Sequence, residues 1–207
     1  MTAREAGLFD AEISPVVVKV RKGTETFSLD EHPRAGATLE SLAKLPPVFK
    51  KPDGLVTAGN ASGICDGAAA VVVASADAVS KYNLKTLARI VAYQVSAVEP
   101  TIMGIGAVPA IKGALARANL SLKDMSIIEV NEAFAAQYLA VERELGLNHE
   151  ITNANGGAIA VGHPLAASGS RILTHLTHEL RRQGKQFALG SACIGGGQGI
   201  ATILEAV

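Results

Sequence analysis

Cys193 is the residue of the sequence whose type and surroundings best suit chemistry on a substrate. It follows a predicted strand over residues 187–192, and only Ile194 separates it from the glycines of residues 195–197. Glycines let a substrate approach the backbone closely, and their N–H groups can stabilise a developing oxyanion. A thiol in this position can act as a nucleophile or as an acid and base. The alternative is a buried structural cysteine beside a turn, because free cysteines are commonly buried.

His163 is the second candidate, in the segment Gly162-His163-Pro164. The proline restricts the histidine to an extended backbone, and the glycine-rich residues 155–162 leave room for the ring to reach a site. An imidazole close to a thiol lowers the pKa of that thiol and can donate to an oxyanion. A hydrogen-bonded loop histidine is the alternative for this segment taken alone.

Asn131 is the third candidate and directly follows a predicted strand over residues 127–130. Its amide could hold a water or a carbonyl, but the residues alone favour a helix N-cap, a position that suits asparagine. Cys65 lies in a turn-like segment and is interpreted as structural. His175 and His178 are three residues apart, but no third ligand is evident, so no metal site is predicted.

The elements that position these residues alternate between strands and helices. The pattern predicts an α/β fold with a layered sheet, in which Asn131 and Cys193 lie at strand ends, where ligands bind. Residues 1–50 indicate a small subdomain or excursion. Strands are predicted at residues 68–74, 88–98, 127–130, 187–192 and 200–204, and helices at residues 77–82, 110–118, 133–145 and 168–183.

Composition limits the partners of the 207-residue chain. Its 19 basic and 19 acidic residues balance, which argues against a nucleic-acid partner or an anionic membrane surface and favours a small molecule. The apolar runs are shorter than a membrane span, so no membrane insertion is expected. Two cysteines are too few for a disulfide framework. The N-terminal residues resemble neither a signal nor a transit peptide and read as an internal start.

Three segments together resemble the signatures of the thiolase family: residues 131–135 (NEAFA), residues 155–164 (NGGAIAVGHP) and residues 193–199 (CIGGGQG). The resemblance extends over essentially the whole chain. Residues 44–51, 137–143 and 191–200 resemble the thiolases of mitochondrial fatty-acid β-oxidation in particular. The resemblance implies a layered αβα thiolase C-terminal domain over residues 67–207. Residues 1–66 would then be part of the family's loop and coenzyme-A-binding region.

The resemblance implies a role for each site residue. Cys193 matches the acid/base cysteine, and His163 matches the histidine that activates the nucleophile and binds the thioester oxygen. Asn131 matches the residue that holds a water of that oxyanion hole, and Gly195 lends an N–H to the other one. Arg34, Ser41, Ser62 and Phe134 match coenzyme-A-binding positions. Coenzyme A enters as a substrate, and no prosthetic group or metal is implied.

The implied reaction is thiolytic cleavage of a 3-ketoacyl-CoA to acetyl-CoA and a shortened acyl-CoA, or the reverse condensation. The family's nucleophilic cysteine belongs to an N-terminal half, which we expect the chain to require as part of a longer chain or another subunit. Ala166 also departs from the family's usual glycine, which puts the close approach of its loop in question. The resemblance further implies a dimer or tetramer in the mitochondrial matrix, with cytoplasm or peroxisome as the alternative.

Two other functions remain open from the sequence. One is an inactive, truncated thiolase that serves as a coenzyme-A-binding or assembly module. The other is a cysteine hydrolase built on Cys193 and His163, which would lack an evident acidic residue to orient the histidine.

Overall fold

The N-terminal part of the chain consists of short elements around one hairpin. In the computed structural model, which describes residues 2–207, the strands over Val16–Val20 and Gly23–Phe27 pair in antiparallel fashion and are largely exposed. Thr38 and Ser41 form a reciprocal capping box at the start of the second helix. The elements are α1 (Thr2–Glu5), β1 (Val16–Val20), β2 (Gly23–Phe27), α2 (Leu39–Ala43) and α3 (Ala76–Tyr82).

The remaining elements build a four-stranded mixed sheet. They are β3 (Ala88–Ala97), α4 (Ala107–Ala118), β4 (Ile127–Val130), α5 (Ala135–Leu145), α6 (Ala158–Val161), α7 (Ser168–Gln183), β5 (Phe187–Ile194) and β6 (Gln198–Ala206). The strand order is β3-β6-β5-β4. β4 runs parallel to β5, whereas β6 is antiparallel to both of its neighbours. The α/β class predicted from the sequence is confirmed.

Helices cover both faces of this sheet. One buried cluster joins α4 and α5 to the sheet through residues such as Ile111 and Val141. A second cluster joins α7 to the sheet through Leu176 and Leu180. A Cβ at Gly190 would lie 2.8 Å from Ile172, so the glycine allows α7 to pack closely on β5. The result is the expected αβα layering.

Residues with a left-handed backbone conformation follow four helices, at the ends that the sequence predicts. Gly146 ends α5 and Gly184 ends α7, both with positive φ. Asn83 and Asn119 do the same for α3 and α4. Ser75 caps α3 by accepting a hydrogen bond from the N–H of Ala78.

Residues 68–74 differ from the prediction. The segment is extended, but it pairs with no strand among residues 2–207. Val72 is 93% exposed and Val73 is 71% exposed. The apolar sequence of this segment predicts a buried strand. A strand also needs a neighbouring strand with which its backbone can form hydrogen bonds. The segment therefore presents an unpaired apolar edge.

No helix among residues 2–207 is both long enough and apolar enough to cross a bilayer.

Candidate active site

Asn131 and Cys193 lie at the same edge of the sheet because β4 and β5 are parallel. Val130 is the register partner of Ser191, and the N–H of Asn131 donates to the carbonyl of Ser191 at 2.9 Å. Asn131 therefore extends one residue, and Cys193 two residues, beyond the last paired position. Both side chains are buried, with Asn131 1% exposed and Cys193 9% exposed.

The Asn131 amide contacts His163 and does not cap a helix. Its Nδ2 lies 3.4 Å from Nε2 of the His163 ring. Helix α5 instead begins after Phe134, where Oε1 of Gln137 accepts hydrogen bonds from the N–H groups of Ala133 and Phe134. The N-cap interpretation of Asn131 is wrong, because residues 132–134 form a separate turn between strand and helix.

The second ring nitrogen of His163 is held by a residue that the sequence did not indicate. Nδ1 lies 2.6 Å from Oγ of Ser168, which is buried at the start of α7. Burial, and then the positive charge of Arg171, lower the pKa of His163. The imidazole is therefore neutral at physiological pH and fixed at both nitrogens.

The glycines after Cys193 form the turn of the β5–β6 hairpin. Cys193 pairs with Gly199 and Ile194 pairs with Gln198, so residues 195–197 close the loop. Gly196 and Gly197 have φ of +86° and +91°, a conformation that side chains rarely adopt. A Cβ at Gly195 would meet nothing within 4 Å in residues 2–207, so the backbone there borders open space.

Burial also changes the acidity of the thiol in this hairpin. It raises the pKa of Cys193 above the ordinary value, because a thiolate loses hydration in an apolar setting. The side chain is therefore a protonated thiol near neutral pH. A thiol of this kind suits proton donation better than it suits spontaneous nucleophilic attack.

Glu132 fixes the loop that leads to His163. Its carboxylate accepts a hydrogen bond from the N–H of Ile159 at 3.1 Å and another from Nδ2 of Asn153 at 2.9 Å. Any Cβ at Gly157 would overlap this carboxylate. The glycine therefore permits an interaction that joins the Asn131 segment to the His163 loop. Neither role was predicted from the sequence.

The variant Gly157→Ala is expected to destabilise the protein by about 1–3 kcal/mol, since the new methyl must displace a carboxylate that is held by two hydrogen bonds. Urea denaturation followed by circular dichroism measures the change. Gly169→Ala is the matched control, because a Cβ there meets open space and alanine favours a helix. Equal stability of the Gly157→Ala variant and the wild type would contradict the proposed packing.

Residues 60–64 join the Asn131 segment to the His163 loop. The N–H and the hydroxyl of Ser62 both donate to the carbonyl of Ala133, at 3.0 and 3.1 Å. The N–H of His163 donates to the carbonyl of Gly63 at 3.1 Å. Ala61 forms a bridge with Phe134. The structure therefore brings Ser62, Phe134, Asn131 and His163 into one constellation.

Arg34 and Ser41 lie in the exposed N-terminal part of the chain. The Ser41 hydroxyl donates to the carbonyl of Thr38 at 2.8 Å as part of the capping box. Leu42 and Leu45 pack so tightly on Gly59 that a Cβ there would overlap Leu42. This packing places α2, which carries Ser41, against Gly59, directly before residues 60–64. Arg34 is exposed in the preceding loop.

Ala166, where the resemblance raised a question, is exposed within a 3₁₀ turn over Leu165–Ala167. Its methyl group therefore does not prevent that turn from closing. Cys65 lies next to the His163 loop, since a Cβ at Gly162 would be 2.6 Å from its sulfur. This proximity was not evident from the sequence.

His175 pairs with an acid far away in the sequence. Its Nδ1 lies 2.9 Å from Oε1 of Glu12, and both side chains are buried. Burial alone would lower the pKa of His175, but the hydrogen bond to Glu12 and the nearby carboxylate of Glu129 raise it. The pair ties the N-terminal segment to α7.

Behind the site, Arg171 of α7 forms an ion pair with Glu129 of β4. The Glu129 side chain is only 4% exposed, and burial raises its pKa, although Arg171 opposes this effect. Because Glu129 is two residues before Asn131 and Arg171 is three residues after Ser168, the pair links the two elements that hold His163.

Comparison with known sequences identifies the family. The model for the thiolase C-terminal domain matches residues 84–206, and that for the thiolase N-terminal domain matches residues 1–77. The chain belongs to the thiolase family. This confirms the resemblance found in the three sequence signatures. The domain division predicted between residues 66 and 67 stays a prediction.

Individual thiolases match over almost the whole chain. The mitochondrial 3-ketoacyl-CoA thiolase of Bos taurus is 67% identical over 99% of this chain and 51% of its own length. The crystal structure of the human mitochondrial 3-ketoacyl-CoA thiolase in complex with CoA is 58% identical with a TM-score of 0.90, over all of this chain and 51% of that one. The Bacillus anthracis acetyl-CoA acetyltransferase structure is 50% identical with a TM-score of 0.96, over all of this chain and 52% of that one. This thiolase chain therefore spans about half the length of the relatives it matches.

Proposed function

We propose that this thiolase chain provides the acid/base and oxyanion-binding part of a centre that cleaves 3-ketoacyl-CoA to acetyl-CoA and a shortened acyl-CoA. The observation that carries the proposal is the contact of Asn131 with His163 at the sheet edge where Cys193 also lies. Thiolysis needs a proton donor for the leaving enolate and donors for two oxyanions. The residues of this edge are of the types that meet these needs.

The chemistry assigns one task to each side chain. A cysteine thiolate attacks the 3-keto carbon, the bond between carbons 2 and 3 breaks, and its electron pair becomes the enolate of acetyl-CoA. The Cys193 thiol gives its proton to carbon 2 of that enolate. In the second half-reaction Cys193 takes the proton of an incoming CoA thiol, whose sulfur displaces the acyl group from the enzyme.

His163 and Gly195 support these steps. The neutral imidazole of His163 accepts the proton of the attacking cysteine, and the resulting N–H then faces the thioester oxygen together with a water held by Asn131. The N–H of Gly195, at the open side of the hairpin, donates to the second oxyanion. Both assignments are supported by the family membership of the chain.

The cysteine that carries the acyl group belongs, in this proposal, to a segment outside the 207 residues. Cys193 is a buried thiol of raised pKa and already serves as the acid. The sulfur of Cys65 packs against Gly162 of the His163 loop. The unpaired apolar edge at residues 68–74 is a surface that a further strand would cover. The missing segment is either joined to this chain or supplied by another subunit.

Coenzyme A binds on the N-terminal side of the constellation. Arg34 and Ser41 contact its nucleotide end, while Ser62 and Phe134 line the path of the pantetheine arm. The packing of α2, which carries Ser41, on Gly59 supports this arrangement, because Gly59 is only three residues before Ser62. The CoA complex of the human relative provides further support.

The proposed location, pathway and assembly rest on the resemblance and on the names of the relatives. A mitochondrial matrix location, participation in fatty-acid β-oxidation and assembly into a homodimer or homotetramer are the proposals consistent with the mitochondrial thiolases. Residues 1–66 would form part of the loop and coenzyme-A-binding region, and residues 67–207 the C-terminal domain.

The test is thiolysis of acetoacetyl-CoA and of a medium-chain 3-ketoacyl-CoA by the purified chain, with and without a separately expressed N-terminal domain of the bovine relative. We expect turnover only when both parts are present, with the N-terminal domain alone as the control. Turnover by the chain alone would place the acyl acceptor on Cys65 or Cys193. If the two parts form a stable complex that binds CoA without turnover, the chain is an assembly module and not part of an enzyme.

A further inference from the structure

Ser168 has no role in the reaction described so far, although it contacts a catalytic residue directly. Its hydroxyl oxygen lies 2.6 Å from Nδ1 of His163, and the residue is 2% exposed. At this distance the contact is a short hydrogen bond. A neutral imidazole carries a proton on one nitrogen only, so the contact depends on which nitrogen is protonated.

The other ring nitrogen decides the direction of this bond. Nε2 faces Nδ2 of Asn131, at 3.4 Å. With the Asn131 amide oriented as in this structure, its nitrogen can donate but cannot accept, and this orientation calls for a lone pair on Nε2. The ring proton then lies on Nδ1, and the hydroxyl oxygen of Ser168 is its acceptor.

We propose that Ser168 is a positioning residue that holds His163 in the tautomer with the proton on Nδ1, so that Nε2 is a free base pointing into the site. The inference rests on the proposed thiolase function for its catalytic consequence. In that reaction Nε2 accepts the proton of the attacking thiol and becomes an oxyanion donor only afterwards. The opposite tautomer would leave no base on the side of the substrate.

The fold makes Ser168 a rigid partner. It is the first residue of α7, and the turn over Leu165–Ala167 returns the chain from His163 to that helix. The ion pair of Arg171 with Glu129 holds the next turn of the same helix against β4. The ring and its acceptor are therefore fixed to neighbouring elements of one packed unit.

The tautomer can be read by ¹⁵N nuclear magnetic resonance on the purified protein labelled at its histidines, at a pH where His163 is neutral. The His163 signals are assigned by their loss in His163→Asn. We expect Nδ1 to appear as the protonated nitrogen in the wild type and in Ser168→Thr. Ser168→Ala should move the proton toward Nε2, and Ser170→Ala, two residues further along the same helix, should not.

Activity provides the second measurement, made with the N-terminal domain present. Ser168→Ala is expected to lower kcat about tenfold, as for the loss of one hydrogen bond, with KM nearly unchanged and with recovery in Ser168→Thr. A wild-type ring protonated at Nε2, or an unchanged tautomer in Ser168→Ala, would overturn the proposal. The spectrum is recorded without substrate, so it decides the role of Ser168 even if the proposed thiolysis fails.

Discussion

Cys193→Ser is expected to lower kcat for 3-ketoacyl-CoA thiolysis by about 10²–10⁴-fold in the assembled enzyme, which is the usual contribution of a general acid or base. Serine preserves the size and the burial of the side chain. Its hydroxyl, however, has a pKa far above that of a thiol and cannot exchange a proton with an enolate and with CoA in turn. Steady-state rates with acetoacetyl-CoA measure the effect.

Cys65→Ser is the matched control, because it makes the same replacement at the chain's other cysteine. Its rate should stay within about twofold of the wild type, as for a substitution outside the reacting groups. If the two variants lose activity equally, or if Cys65→Ser loses more, the assignment of the acid/base to Cys193 is wrong.

The raised pKa of Cys193 also predicts a pH dependence. Proton donation to the enolate needs the thiol form, which persists until the pH exceeds the pKa of Cys193. Since burial raises that pKa, the decline of kcat at alkaline pH should begin above the ordinary thiol value of about 8.5. A pH–rate profile between pH 7 and pH 10 provides the check, and a decline centred below that value would contradict the assignment.

Arg171→Met is expected to destabilise the protein by about 3–5 kcal/mol, because it leaves the Glu129 carboxylate buried without its partner. Methionine keeps much of the length and the apolar packing of the arginine side chain, so the loss reports mainly on charge. Urea denaturation followed by circular dichroism measures it. The same change should raise the pKa of His163, since the Arg171 charge now lowers it.

The double variant Arg171→Met/Glu129→Gln tests the cause of that destabilisation. Once the carboxylate is removed, no lone charge remains in the interior. The double variant should therefore be more stable than Arg171→Met alone. An equal or greater loss in the double variant would show that the packing of these side chains, and not the uncompensated charge, determines the cost.

Local patterns were sufficient for most of the elements. Apolar periodicity located β4 and α7, and the helix ends predicted at residues 145 and 183 agree with the structure, where Gly146 and Gly184 follow them. Residues 68–74 show the limit of such patterns. Their sequence specifies an extended apolar segment, but pairing depends on a neighbour that the segment itself does not encode.

The site was predictable only in part, because its supporting contacts join distant segments. The strand-end positions of Asn131 and Cys193 were evident from the sequence. The contact of Ser168 with His163 was not, since a serine at a helix start has several common roles. The interaction between Glu132 and the Gly157 region spans 25 residues. It requires that residue 157 have no Cβ, which no local pattern reveals.

In the proposed reaction Cys193 moves protons, while another cysteine, on a segment outside these 207 residues, carries the acyl group. The most direct test mixes the chain and the N-terminal thiolase domain with acetoacetyl-CoA, quenches the mixture in acid and locates the acetylated cysteine by peptide mass spectrometry. We predict acetyl on a cysteine of the N-terminal domain, with Cys65 and Cys193 unmodified. Acetyl on Cys193 or Cys65 would contradict the account.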